Sequence, residues 1–391
     1  MSTLKVDGIR SNSASSDAIT LASDGTCTAN ITNRSNRNLI INGAMLVAQR
    51  GTSSTDNDIG TVDRFQSKYT GTDEATTQQQ ADVSAPSSPY HLPTSGDHPY
   101  KKGFRKCFSI TNGNQTSGAG AGDYVFIRYK IEARDLANSG WDYTSSSSYL
   151  TLSFWVKSSV AQNFYGRLET QDGTKQNYSF ETGSLTAFTW TKIAKTIPGN
   201  ANITIDNNGG TGIELYFYAF LGTDQTNNSV TNDAWAAYAS GTRTKDNTST
   251  WYTTNDASFQ ITGVQLEAGS VATDFEHRPF ATERRLCQRY YQKYTNPKLR
   301  GVLGNSTDFQ RMGMPLLVEM RADPSATWSG TQSVYDGVGT ASITGMSAVY
   351  VDPASIEFDS SVSGSLGAGS GSSVIAYTGG DEATLMLNAE L

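Results

Sequence analysis

The sequence of 391 residues is poor in the side chains that most often do chemistry. It holds three histidines, His91, His98 and His277, and three cysteines, Cys27, Cys107 and Cys287. An odd, widely spaced set of cysteines fits neither a disulfide framework nor a zinc site. Buried free thiols made in a reducing cytoplasm are expected instead. His91 and His98 fall in a proline-rich loop, and no third ligand stands at strand or helix spacing, so no metal is expected. Only 17% of residues are charged, and the net charge of −7 argues against nonspecific nucleic-acid binding. No apolar run approaches membrane-spanning length, so membrane insertion is not expected. No basic start followed by an apolar run opens the chain, so no signal peptide is expected either.

What is abundant is glycine (37), tyrosine (19) and phenylalanine (15), with many Ser, Thr and Asn. Aromatic residues and Thr suit strands, and Gly and Asn suit turns, so the composition predicts an all-β protein. The length calls for two or three units. Residues 1–37 are polar and sparsely apolar and cannot bury enough surface to fold alone. They read as a segment for trimerisation or attachment, with a disordered leader as the bland alternative. Residues 38–280 form the main domain. Tyr124 to Ile131, Leu150 to Val156, Phe164 to Thr170, Trp190 to Ile197, Ile213 to Phe220 and Phe259 to Leu266 read as strands. Gly263 interrupts the last of these, as a bulge would. Ile213 to Phe220 is apolar or aromatic on both faces, which predicts that both are covered, the second at a trimer seam. Thr70 to Lys102 and Gly222 to Ala257 read as long loops.

After Pro279 the spacing of Leu286, Cys287, Tyr290, Tyr291 and Tyr294 predicts a short helix over residues 281–295, with Thr282 as its N-cap. Its arginines are expected to face solvent or carboxylates. Residues 296–391 carry further strand candidates, a Ser/Gly-rich loop from Ser360 to Ser372, and no Lys or Arg beyond Arg321. They read as a smaller, acidic β-sandwich. The fold class is therefore all-β: a main sandwich and a smaller C-terminal one, joined by one short helix.

Three separated motifs carry a resemblance. Asn38-Leu39-Ile40-Ile41-Asn42-Gly43-Ala44-Met45, with Ala48-Gln49-Arg50-Gly51 and Asp63-Arg64-Phe65, comes first. Ile261 to Arg278 follows, reading Ile-Thr-Gly-Val-Gln-Leu-Glu-Ala-Gly-Ser-Val-Ala-Thr-Asp-Phe-Glu-His-Arg, and Leu286-Cys287-Gln288-Arg289-Tyr290-Tyr291 closes the set. Together they resemble tailed-bacteriophage tail fibre proteins whose central domain is a jelly roll of the carbohydrate-binding-module kind. The resemblance covers roughly residues 34 to 294. It implies a homotrimeric virion protein, synthesised in the host cytoplasm and held to a tail adaptor or other virion protein by its N-terminal segment. It implies no catalytic residue.

Function follows as an expectation: adsorption to a bacterial surface polysaccharide. A structural virion component, as head decoration or tail spacer, is the alternative from another class. A polysaccharide depolymerase is the third, disfavoured because no β-helix repeat is present. The chain is not expected to be an enzyme or to need a cofactor. Aromatic rings stack on sugar faces, which makes Trp141, Tyr143, Trp235, Tyr238, Trp251, Tyr252 and Trp328 the candidate carbohydrate-binding residues. Each could equally plug a sandwich end or a trimer seam. Asp56-Asn57-Asp58 and Asp206-Asn207-Asn208-Gly209 could hold calcium or be plain turns. If the N-terminus holds the virion, the terminal domain is the favoured place for host contact.

Overall fold

A computed structural model describes residues 6–10, 12, 19–21, 23, 27–29, 35–85, 98–304, 310–363, 366–367, 373–377 and 383–391. Near the start, β1 (Gly8–Ile9), β2 (Ile19–Leu21) and β3 (Cys27–Ala29) pair as a small antiparallel sheet. His91 and the side chain of Cys27 lie outside the described residues.

The main domain contains β4 (Ser53–Ser54), β5 (Phe65–Thr70), β6 (Thr77–Asp82), β7 (Lys106–Thr111), β8 (Tyr124–Glu132) and β9 (Tyr149–Ser158). It continues with β10 (Asn163–Thr170), β11 (Gln176–Ser184), β12 (Thr191–Pro198), β13 (Thr211–Leu221), β14 (Ala234–Ala237) and β15 (Ser258–Ala268). They make two six-stranded sheets, ordered β14-β11-β10-β13-β8-β5 and β12-β9-β15-β7-β6-β4. Sequence neighbours mostly fall in different sheets, which is the wrapping of a jelly roll. The strands expected from alternation are all present. Val125, Ile127, Leu152, Phe154, Leu215, Phe217, Ile261 and Leu266 point into one core. At Gly263 (φ 61°) the register of β15 on β9 shifts, so the glycine does mark a bulge.

The structure corrects the expected loop from Thr70 to Lys102, because β6 runs through it. Its sequence, Thr-Gln-Gln-Gln-Ala-Asp, has no apolar alternation. Gln78 is buried nonetheless, accepting from the Gly60 N–H (3.1 Å) and donating to the carbonyls of Asp56 (2.6 Å) and Asp58 (2.8 Å). Polar satisfaction stands in for hydrophobic pattern there.

The helix is also shorter than its spacing predicts. It spans Phe280–Gln288, and Pro279, not Thr282, holds the N-cap position. The chain then turns into β16 (Tyr291–Thr295), which pairs with β24 (Thr384–Asn388), and β24 pairs with β19 (Ser325–Ser329). A strand partner far along the sequence overrides the local period. The remaining C-terminal strands are β17 (Arg300–Leu303), β18 (Gln310–Pro315), β20 (Ser333–Tyr335), β21 (Thr340–Val351), β22 (Ser355–Ser363) and β23 (Ser373–Tyr377). These six close into a barrel, β17-β18-β22-β21-β20-β23. The expected small sandwich is thus corrected to a barrel with a three-stranded sheet beside it. Pairing of β23 with both β17 and β20 closes it and removes the free edges.

The recognisable motifs converge in space. The Glu276 carboxylate accepts the backbone N–H of Asn38 at 2.9 Å and that of Asn36. Arg278 reaches the carbonyl of Asn38 and pairs with Glu283 at 3.5 Å. Glu283 accepts the Asn42 N–H, so helix and opening segment are tied together. Arg64 is buried, stacked 3.4 Å from the Tyr290 ring centroid and paired with Glu390. Lys130 Nζ donates to the Leu391 carbonyl at 2.6 Å, and Arg321 to that of Gly209 at 2.8 Å. The two units meet at a packed, charged seam.

Candidate functional site

The outward face of the first sheet is built from residues that the strand register lines up. Across β8, β13 and β10, Arg128, Tyr216 and Arg167 stand abreast, and Lys130, Glu214 and Glu169 stand abreast one step along. Phe126 and Tyr218 form the next row, with Tyr124 stacked beside Phe126 at 5.1 Å. Facing pairs on neighbouring strands are in contact range, so rows of this kind form a continuous floor. Tyr216 and Tyr218 lie parallel, 5.8 Å apart.

The long excursion after β13 supplies the wall. It is not an unstructured loop throughout: β14 adds to β11, and a short helix, Thr250–Thr253, lies farther on. Tyr238 N–H donates to the Lys175 carbonyl at 2.9 Å, and Asn177 Nδ2 to the Arg243 carbonyl at 3.0 Å. These bonds bring Gln225, Tyr238 and Arg243 to the rim. The result is a cleft of about 360 Å³ lined by aromatic rings, Arg128, Arg167, Lys175, Arg243, Glu169, Glu214, Gln171 and Gln225.

Its charges are tightly arranged. Arg167 pairs with Glu169, donates from Nε to the Tyr218 hydroxyl (2.7 Å), and stacks 4.1 Å from the Tyr216 ring centroid. Burial alone would raise the Glu169 carboxyl. The Arg167 charge, with hydrogen bonds from Gln171, Arg167 and Lys175, holds it below its ordinary value of 4.5. Glu214 accepts from Tyr216 and pairs with Arg128 at 3.3 Å. Burial, and next the Glu214 charge, push the Tyr216 phenol far up, so it stays protonated and can donate.

The sequence-predicted aromatics divide sharply. Trp251 and Tyr252 are fully buried and Trp141 is 3% exposed, which leaves them no face for a sugar. They are corrected to core residues: Tyr252 packs 4.6 Å from Phe220, and Trp141 edge-on to Tyr143. Tyr143 is half-buried against that core. Trp328 is half-buried in the C-terminal unit, edge-on to Phe358. Trp235 is half-buried on Tyr178, donates Nε1 to the Pro198 carbonyl (2.7 Å) and lines a separate depression with Val230 and Thr242. Tyr238 alone of the seven lines the cleft.

Sequence reasoning missed most of the floor. The available signal was polar: Arg128 and Lys130, Arg167 and Glu169, and Glu214 and Tyr216 occupy the outward positions of three otherwise apolar strands. On the second face of Ile213 to Phe220, Tyr216 and Tyr218 pack beside this chain's own Phe126, Tyr124 and Arg167, and Glu214 and Tyr216 form part of the cleft floor. Among the described residues, no group of three or more His, Cys, Asp or Glu is placed to hold a metal. Asp58 pairs with Lys68 and Gln66, and Asp206 N–H bonds Asp172, so both suspected calcium loops make turns and pairs. His277 bonds the Lys102 carbonyl at 2.8 Å, a tie between loops.

No family model and no curated protein sequence matches the chain. Among solved structures, it is similar to the N-terminal cellulose-binding domain of Cellulomonas fimi beta-1,4-glucanase C. The identity is 9%, over 58% of this chain and 99% of that one, with a TM-score of 0.27. It is similar to a family 11 carbohydrate-binding module of a Clostridium thermocellum cellulosomal cellulase, at 14% identity over 58% and 98%, TM-score 0.24. It is also similar to an N-terminal tandem of two CBM22 domains from Paenibacillus barcinonensis, at 10% identity over 82% and 93%, TM-score 0.24. Scores of this size carry no functional inference.

Proposed function

We propose that this protein binds a polysaccharide in the cleft on the outer face of the first sheet. The observation that carries the reading is the lining itself. Half-buried Tyr124 and Tyr238 offer ring surface over a floor that includes the nearly enclosed Phe126 and Tyr216, and Arg128, Gln171, Glu169, Gln225 and Arg243 offer fixed donors and acceptors around it. Sugars are recognised by that combination of apolar faces and hydroxyl-directed hydrogen bonds.

Binding fits the cleft better than hydrolysis. Glu169 and Glu214 face each other across neighbouring strands, which invites a glycosidase reading. A glycosidase needs one carboxyl held protonated as a general acid. Here each carboxylate is engaged by an arginine, Glu169 by Arg167 and Glu214 by Arg128 at 3.3 Å, and Glu214 also accepts from Tyr216, which suits fixed acceptors better than a proton donor.

The resemblance in the opening and closing motifs supports a finer reading: a homotrimeric bacteriophage fibre that adsorbs to a bacterial surface glycan. With the cleft in the jelly roll, recognition is proposed there, not in the C-terminal barrel. Two measurements test these claims separately. Calorimetric titration with a polysaccharide panel should give saturable binding that Tyr238→Ala weakens; absence of binding across the panel refutes the cleft. Light scattering should give three times the chain mass, and free protein should compete with phage for cells. A monomer that does not compete refutes the fibre reading and leaves the cleft standing.

A further inference from the structure

We infer that the glycan taken by this cleft is anionic, carrying sugar carboxylates of the uronic-acid kind, and that Arg243 receives a carboxylate. The inference rests on the cleft being a glycan site. Its first support is charge. Four cations, Arg128, Arg167, Lys175 and Arg243, line the cleft against two carboxylates, Glu169 and Glu214, on a chain whose net charge is −7. A locally positive hollow on an acidic protein concentrates anions where the remaining surface repels them.

The second support is how those charges are used. Glu169 is taken by Arg167 and by Lys175 at 3.2 Å. Glu214 is taken by Arg128 at 3.3 Å and Lys130 at 3.9 Å. Arg243 has no carboxylate among the described residues. Its Nη1 donates to the Gln225 amide oxygen, and its Nε is buried without a partner. Its backbone is fixed on both sides, the N–H by Gln225 (3.0 Å) and the carbonyl by Asn177 (3.0 Å). A partly buried guanidinium without a counter-ion is costly alone, and an arriving carboxylate removes that cost. With Nε enclosed and Nη1 on Gln225, the Nη2 end is left for a carboxylate, through a charge-assisted hydrogen bond that a neutral hydroxyl cannot match. Tyr238, whose ring centroid lies 5.9 Å from the Arg243 guanidinium, stands beside the same spot to carry the sugar ring.

The test uses the full chain and calorimetry. Oligosaccharides of polygalacturonate, alginate and hyaluronate are titrated beside the same oligosaccharides after methyl esterification, and beside neutral cello- and xylo-oligosaccharides. An acid form should bind about tenfold or more tighter than its ester, as a charge-assisted hydrogen bond of ordinary strength would give. Added salt should narrow the gap. Arg243→Gln should abolish it, and Arg243→Lys should restore part of it. Melting curves check that the variants fold. Should Arg243→Gln be unfolded, Lys175→Gln, on an exposed side chain, should also narrow the gap. Equal binding of acid and ester, or tighter binding of the neutral sugars, overturns the inference and leaves the cleft reading intact. No binding of any glycan overturns both.

Discussion

Replacing Glu169 with Gln isolates the electrostatic frame of the cleft. The substitution keeps shape and removes the counter-ion of Arg167, whose side chain is 2% exposed. Removing one member of a buried ion pair costs about 3–5 kcal/mol, because the other charge stays buried. Arg167 keeps the Tyr218 hydroxyl, the Asn177 amide oxygen at 3.2 Å and the Tyr216 ring. Those contacts place the expected loss at the low end, about 3 kcal/mol. For a domain of this size that lowers Tm by roughly 6–12 °C. The pH dependence gives a second readout. Glu169 has a depressed folded pKa, so its stabilisation is complete above the unfolded value near 4.5. It is lost as pH falls through the lower folded value. Calorimetric melts from neutral pH down to about 3 should show wild type losing this contribution and the Gln variant lacking it. The double variant Arg167→Met with Glu169→Met should recover only part of that loss, since no charge is left unpaired but the buried Tyr218 hydroxyl and Asn177 amide oxygen lose their donor, while losing glycan binding. An unchanged Tm in the single variant would refute the pairing.

Three further outcomes are expected. Trp251→Ala should cost about 3–5 kcal/mol in urea unfolding and Trp235→Ala distinctly less, because only the first is fully enclosed; equal costs would contradict the assignment of Trp251 to the core. Glu276→Gln should lower stability by about 1–3 kcal/mol by weakening the grip on the Asn38 N–H, with glycan affinity unchanged in titration. Gly263→Ala should destabilise by more than about 1 kcal/mol, since its φ is 61° and the added carbon would lie 2.7 Å from Phe104 and 3.0 Å from Trp155; a neutral melt would mean the bulge is not constrained.

The sequence by itself determined what depends on local period. Alternation in Tyr124 to Ile131, Leu150 to Val156 and Ile213 to Phe220 placed the strands, because one buried face demands period two. A lone glycine placed the bulge in β15, because few other residues tolerate a positive φ. Tertiary structure alone decided the rest. β6 forms without an apolar pattern because its Gln78 finds buried partners. β16 leaves the helical period because β24, far along the sequence, offers a ladder. The aromatics were visible in composition, yet whether Trp251 or Tyr238 meets solvent depends on which elements close over each. The cleft was the least legible part. Arg128, Tyr216 and Arg167 come from three strands scattered along the chain, and only the strand register sets them side by side. Period is a property of neighbours in sequence, whereas a binding surface is a property of neighbours in space.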